Sequence, residues 1–394
     1  MRPLEGIKVI DFTQEYSGPF CTMQLADFGA DVIKIENVEC GDQSRTWMPI
    51  KDGFSGFYAS INRGKRSLTL NLASEEGKEI IKKLVTDADV VVESFKVGTM
   101  ENLGLGYENL KAINPGLIYA TVSGFGIDGP LMDCVCHDNI AQSMSGTMEM
   151  TGFPKGEPTK IGINFADNFT GLNLCLGILM AYYNKNKTGV GQRLDVAKLD
   201  SLFALNEAPI IFNTMLNEKC SRAGNNDVTI APYDVFEAQD GYISIGVASE
   251  SAWPKMCNAI GMPELIEDPR FVDNNGRTSN YDIELRPIVE EYTKKNTKKD
   301  IEDILASAGV PCAPVMSVEE IMAHPQLKVR DMVVELEDPE LGKFKTAGIP
   351  MKLEKTPGAI LKPAPKLGQD SNEILKSLGY SEEEINRFHE KGIV

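Results

Sequence analysis

The stretch DVVVESF, residues 89–95, sets three consecutive valines between two acids and leaves no polar side to face water. Such a run is predicted as a strand covered on both faces, as in a parallel sheet flanked by helices. Its surroundings agree. Upstream, Ser74 opens a helix, EEGKEIIKKLV, whose Ile80, Ile81, Leu84 and Val85 share one face. Before it come β-rich runs at IKVIDF (7–12), ADVIKIE (30–36) and SLTLNL (67–72), with a helical stretch FCTMQLADF ended by Gly29. Downstream, YENLKAIN reads as a helix and GLIYATVSGFG (116–126) as the next strand. Strand and helix alternate four times, which predicts an open doubly wound α/β domain. Ligands of such sheets sit beyond the C-terminal ends of the strands, here at loops Thr13–Pro19, Glu36–Trp47, Ser94–Gly98 and Ser123–His137.

Further along, RLDVAKL (193–199) is predicted as a strand after the turn KTGVGQ, followed by helix to Leu216. Residues 217–230, NEKCSRAGNNDVTI, read as a polar linker. APYDVFEAQDGYISIGV (231–247) reads as a hairpin around Asp240-Gly241, and helical patterns follow to Ala308. The expected organisation is therefore a large domain from 1–216, a linker at 217–230, a smaller domain at 231–308, and a return segment from 309–394. Gly124-Phe-Gly126-Ile-Asp-Gly129 matches the dinucleotide spacing formally. Pro130 follows and no helix opens there, so no nicotinamide site is expected.

One further stretch combines a charge with an apolar run. In IGINFADNFTGLNLCLGILMAYY (161–183), Asp167 precedes an uncharged segment from Phe169 to Tyr183. That segment is predicted as a buried helix beginning just after the acid. Asp167 then has two readings: a helix cap, or a carboxylate held dry at a helix N-terminus and usable as a nucleophile.

Composition narrows the function. The 394 residues are 42% apolar and 25% charged, with a net charge of −17. That acidity excludes a nucleic-acid binder, which needs cations to displace counterions from phosphates. A few local cations can still bind a phosphorylated ligand. None of the eight cysteines forms Cys-x-x-Cys, so no metal site and no disulfide framework are expected. No leader is apparent, and the longest apolar run is short and holds Asn173; no membrane association and a cytoplasmic location are expected.

Taken together, LEGIKVIDFT (4–13), Gly18-Pro19, LADFGADVIKIE (25–36) with Gly41-Asp42, NRGKRS (62–67) and NPGLIYA (114–120) resemble the family III CoA-transferases. So do Gly124-Phe-Gly126 with Gly129-Pro130, Gln142-x-x-Ser-Gly146, Ala166-Asp167 with Gly171, TGVGQ (188–192) and AGVPCAP (308–314). This is the formyl-CoA transferase and carnitine CoA-transferase group, and the likeness runs in order along essentially the whole chain. It implies a Rossmann-like large domain with an open, mostly parallel sheet, built from both chain ends, and a smaller inserted α+β domain. It also implies an interlocked homodimer. The implied activity moves CoA from an acyl-CoA donor to a carboxylic acid acceptor, with Asp167 as catalytic residue passing through a mixed anhydride and a β-aspartyl-CoA thioester.

For CoA itself, the resemblance points to Gln14, Tyr16 and Ser17 after the first strand, and to Leu70, Asn71, Ser94 and Phe95 along the adenine and pantetheine path. Asn37 and Asn102 are further expected CoA positions; relatives commonly carry arginine there, so Lys96 or Arg45 is expected to supply the missing cation for phosphate. Trp47 is expected to shape the acyl pocket. The same fold hosts α-methylacyl-CoA racemases, whose Gly-His-Asp pattern corresponds to Cys136-His137-Asp138. His137 is thus expected either to contact CoA or to pair with Asp167 in proton exchange.

Overall fold

The computed structural model describes residues 2–394, which divide into two compact units. The first comprises the chain up to Thr147, Lys160–Ile211 and Gln326–Val394; the second comprises Met148–Thr159 and Phe212–Pro325. In the first unit six strands, β1 (Lys8–Phe12), β2 (Asp31–Glu36), β3 (Arg66–Thr69), β4 (Val90–Glu93), β5 (Ile118–Ser123) and β6 (Arg193–Ala197), form one sheet. Their order is β3-β2-β1-β4-β5-β6 and every pair is parallel. The crossovers include α1 (Ser17–Asp27), α2 (Glu75–Val85), α3 (Tyr107–Ile113), α4 (Asp138–Met144) and α5 (Phe165–Thr188); α6 (Lys198–Phe203) follows β6, and α7 (Ser371–Ser377) and α8 (Glu382–Glu390) close the chain.

The valine run behaves as its composition requires. Val90, Val91 and Val92 are all fully buried, but alternate residues enter different cores. Val91 packs with Ile80, Ile81 and Leu84 of α2, Leu110 of α3, and Ile374 and Phe388 of the C-terminal helices. Val90 and Val92 pack on the other face with Cys21 and Leu25 of α1 and Leu174, Cys175 and Ile178 of α5. Local signals support the layers: Ser74 Oγ accepts from Gly77 N at 3.0 Å, with acids in the first turn of α2 and lysines in its last.

Three expectations need correction. α5 begins at Phe165, so Asp167 lies inside the first turn; the preceding position is Asn164, and Asp167 does not cap. The helix is also not buried all round: Leu172, Leu176, Leu179, Met180 and Tyr183 are between 36% and 65% exposed along its outer side. Finally, the strand at 193 stops at Ala197 and Lys198 opens α6, because the alternating pattern ends where the next helix starts. Among the described residues, no helix is long and apolar enough to cross a membrane.

The second unit holds β7 (Tyr233–Ala238), β8 (Gly241–Gly246) and β9 (Cys312–Pro314), antiparallel in the order β9-β8-β7. Gly241 pairs with Ala238, so Gln239 and Asp240 form the turn and the glycine opens the returning strand. Phe236, Ile243, Trp253, Phe271 and Leu305 lie in its core. Because β9 pairs with β8, this unit extends to Pro325, beyond the boundary at 308 read from the sequence.

Candidate active site

In a sheet ordered 3-2-1-4-5-6 the strand order reverses between β1 and β4, and the loops leaving those two strands open a crevice. The first loop is held from below by buried charge. Asp11, at the end of β1, accepts from Thr13 N at 2.8 Å, Thr22 Oγ1 at 2.6 Å and Lys65 Nζ at 3.0 Å. Burial alone would raise this carboxyl, but the Lys65 and Lys34 ammoniums hold it well below the usual carboxylate range. Lys34 Nζ donates to Thr13 O at 2.7 Å and pairs with Asp42 at 2.7 Å. Burial pushes Lys65 down to about 8 despite Asp11.

Above this network the chain turns sharply. Glu15 adopts a left-handed φ of 68°, and its N–H donates to Asp42 Oδ1 at 3.1 Å. Strain of this kind persists where the surroundings over-determine it. Gly18 is required by the same turn, since a Cβ there would lie 2.4 Å from the Thr13 side chain.

Asp167 reaches this loop from α5. It is 7% exposed; Ser17 Oγ donates to its Oδ1 at 2.5 Å, and Lys198 Nζ stands 2.7 Å from the same oxygen. Its own N–H, one of the orphan donors of a first helical turn, donates to Asp138 Oδ2 at 3.1 Å. Close approach of α1 and α5 makes the Ser17 contact possible. A Cβ on Gly171, one turn past Asp167, would sit 2.6 Å from Ser17 O. Next to the acid, Tyr16 donates its hydroxyl to Asn168 Oδ1 at 2.9 Å, and burial pushes that phenol above its ordinary range.

A cavity of about 300 Å³ opens at these loops. Gln14, Tyr16, Ser17, Ser94, Phe95, Lys96 and His137 all line it, together with Lys198. Asp167 is represented there by its two partners, Ser17 and Lys198. The loops after β1 and β4 are tied together, Gln14 N donating to Ser94 Oγ at 3.0 Å. Glu93, which burial pushes up to about 7, accepts from Phe95 N at 2.9 Å and fixes the second loop. His137 Nδ1 lies 3.6 Å from the Glu15 carboxylate, and Lys96 lies 3.4 Å from Asp133 with its side chain 67% exposed.

Four of the expected CoA contacts are not on this cavity. Leu70 is buried in the core beneath β3, and Asn71 N is bonded to Ile393 O. Asn37 accepts from Glu39 N, and Asn102 is exposed at the end of a short helix, Thr99–Asn102. Arg45 is not a free phosphate ligand either. Its guanidinium is bidentate on Glu36, both bonds at 2.8 Å, and also donates to Tyr58 Oη and Pro365 O. Trp47 joins a row of tilted rings, 5.3 Å from Phe57, which is 5.1 Å from Tyr16. A larger cavity, about 530 Å³, lies between Phe54–Ala59 and the 362–370 segment. Its buried cation Lys65 is fully engaged by Asp11, Asn62 Oδ1 and Pro19 O, so it offers no free group.

Lys198 was not singled out in the sequence, where RLDVAKL reads as one strand. The available signal is positional: a charged residue just past the C-terminal end of a parallel strand points toward the crevice side.

A buried carboxylate, Asp167, thus lies behind Ser17 and Lys198, both on the wall of a cavity at the switch point of a doubly wound sheet. The chain belongs to CoA-transferase family III, whose family model matches residues 4–371, and it is a CoA-transferase. It is 36% identical over 388 residues to the succinate–glutarate CoA-transferase of Agrobacterium fabrum, covering 95% of this chain and 96% of that one. It is likewise 36% identical to the formyl-CoA:oxalate CoA-transferase of Escherichia coli O6:H1, covering 97% of each. The crystal structure of a CAIB/BAIF family protein from Brucella suis superposes with a TM-score of 0.86 at 36% identity, over 96% of this chain and 99% of that one.

Proposed function

We propose that this enzyme transfers CoA from an acyl-CoA to a small dicarboxylic acid, with Asp167 as nucleophile. The acceptor class rests on relatives named for glutarate, citramalate, mesaconate and oxalate. The single observation that carries the mechanism is the placement of Asp167: nearly buried, yet joined through Ser17 and Lys198 to the cavity wall.

A carboxylate Oδ of Asp167 attacks the donor thioester carbonyl and expels CoA thiolate, leaving an acyl-aspartyl anhydride. The thiolate then attacks the aspartyl carbonyl, releasing the donor acid and forming a β-aspartyl-CoA thioester. The acceptor carboxylate reverses these steps. Each stage conserves one activated acyl bond, so no nucleotide is consumed, and exclusion of water protects the anhydride. Gln14, Tyr16, Ser94, Phe95 and Lys96 contact CoA in this reading, as does His137.

Proton exchange at an α-carbon between His137 and Asp167 is the competing chemistry. The two are separately engaged, Asp167 by Lys198 and His137 by Glu15. Incubation of the enzyme with acyl-CoA in heavy water is expected to leave the α-carbon unlabelled, while added succinate, glutarate or oxalate yields its CoA ester. Deuterium uptake without transfer would reverse the assignment.

The working form is a homodimer with interlocked chains. It is supported by the apolar outer side of α5, where Leu172, Leu176, Met180 and Tyr183 are exposed in the single chain. Light scattering is expected to give the mass of two chains; a stable single-chain mass at micromolar concentration contradicts it.

A further inference from the structure

We infer that Lys198 is a catalytic residue: its ammonium is the fixed counter-charge to whichever anion occupies the site at each stage of transfer. The inference rests on Asp167 acting as the nucleophile. It begins from the 2.7 Å contact between Lys198 Nζ and Asp167 Oδ1. The lysine side chain is 12% exposed, and it also donates to a neutral acceptor, Cys136 O, at 3.4 Å. In the resting enzyme the pair is therefore balanced, one cation against one carboxylate.

Acylation removes the negative charge from Asp167, because the anhydride is neutral. Were nothing else to change, the largely buried ammonium would lose the anion it contacts, an unfavourable arrangement. The chemistry supplies the replacement. Breaking the thioester C–S bond leaves its electron pair on sulfur, so the charge lost from Asp167 appears on CoA thiolate beside it. When thiolate attacks the aspartyl carbonyl, the charge passes to the departing donor carboxylate. The acceptor enters as a carboxylate in its turn, and the sequence runs back to ionised Asp167. At every stage the exchanging groups carry one negative charge between them, beside the constant charge of Asp138 on the Asp167 N–H, and Lys198 faces the exchange from the cavity wall. A preorganised cation of this kind lowers the barrier for each charge shift without reorganising.

Nearby groups do not duplicate the role. Lys34 and Lys65 are fully engaged beneath the loop by Asp42, Asp11 and their backbone partners, and Lys96 lies beside Asp133. Ser17 donates a hydrogen bond to the same oxygen but carries no charge.

The test uses the full-length enzyme, an acyl-CoA donor alone, and rapid quenching into hydroxylamine, with Asp167 hydroxamate counted by peptide mass spectrometry. Lys198→Met is expected to slow trapping by roughly 10²–10³-fold, the loss seen when a preorganised charge-stabilising donor is removed. Lys198→Arg, which keeps the charge, is expected to stay within about tenfold of the parent, and both variants are expected to bind free CoA within about threefold of it. Trapping by Lys198→Met at the parental rate overturns the inference while the nucleophilic reading stands. So does Lys198→Arg being as slow as Lys198→Met, or a joint collapse of CoA affinity. No adduct in the parent enzyme overturns both.

Discussion

Asp167→Asn is expected to lower CoA transfer by at least about 10⁴-fold, since removal of a covalent nucleophile leaves only binding and electrostatic assistance. The substitution keeps the shape of the side chain, and its Oδ1 can still accept from Ser17 and Lys198. The neutral amide lacks the charge needed to attack a thioester. CoA affinity is therefore expected to change by no more than a few fold, and hydroxylamine trapping at this position is expected to vanish. Steady-state transfer and isothermal titration with CoA check the two halves. Turnover within tenfold of the parent, after exclusion of deamidation by mass spectrometry, ends the covalent account.

Gly171→Val is expected to have the second largest effect, acting on stability and activity together. The new Cβ would stand 2.6 Å from the Ser17 carbonyl oxygen and 3.0 Å from the Phe20 ring, and a backbone atom cannot swing aside as a side-chain tip can. Helices α1 and α5 must separate, at a cost of about 1–3 kcal/mol for overpacking. Replacing a helical glycine recovers at most a few tenths to about 1 kcal/mol of propensity, more for alanine than for valine, so the clash prevails. Separation also pulls Ser17 away from Asp167, and a displacement near 1 Å at a reacting group can cost about 10²-fold in rate. Thermal unfolding and kcat measured on the same preparation test this. Parental melting with parental kcat shows that the helix contact does not position the acid.

Much of the fold was readable because one central strand is an unbroken valine run and its neighbours are short β-rich runs separated by helices. The strand order makes Val90–Val92 buried on both faces, and the composition demanded that. The loops after β1 and β4, read from the sequence as ligand loops, border one cavity. What could not be read were pairings that depend on the folded chain. Arg45 looks like a free cation in sequence, yet Glu36, nine residues earlier, takes its guanidinium in two hydrogen bonds. Lys198 was hidden because RLDVAKL alternates plausibly to its end, whereas the strand yields to α6 at Ala197. The outer side of α5 misled in the opposite sense: a helix apolar all round signals cover, but its sequence does not say whether the cover belongs to its own chain.

That helix has a second consequence. A single rod of 24 residues, Phe165–Thr188, carries Asp167 in its first turn and an exposed apolar flank from Leu172 to Tyr183. Drift of residues on the flank would therefore be felt at the tip, through tilt or rotation of the shaft. If the proposed dimer and the proposed nucleophile both hold, constraints on the flank and on the acid fall on one piece of backbone.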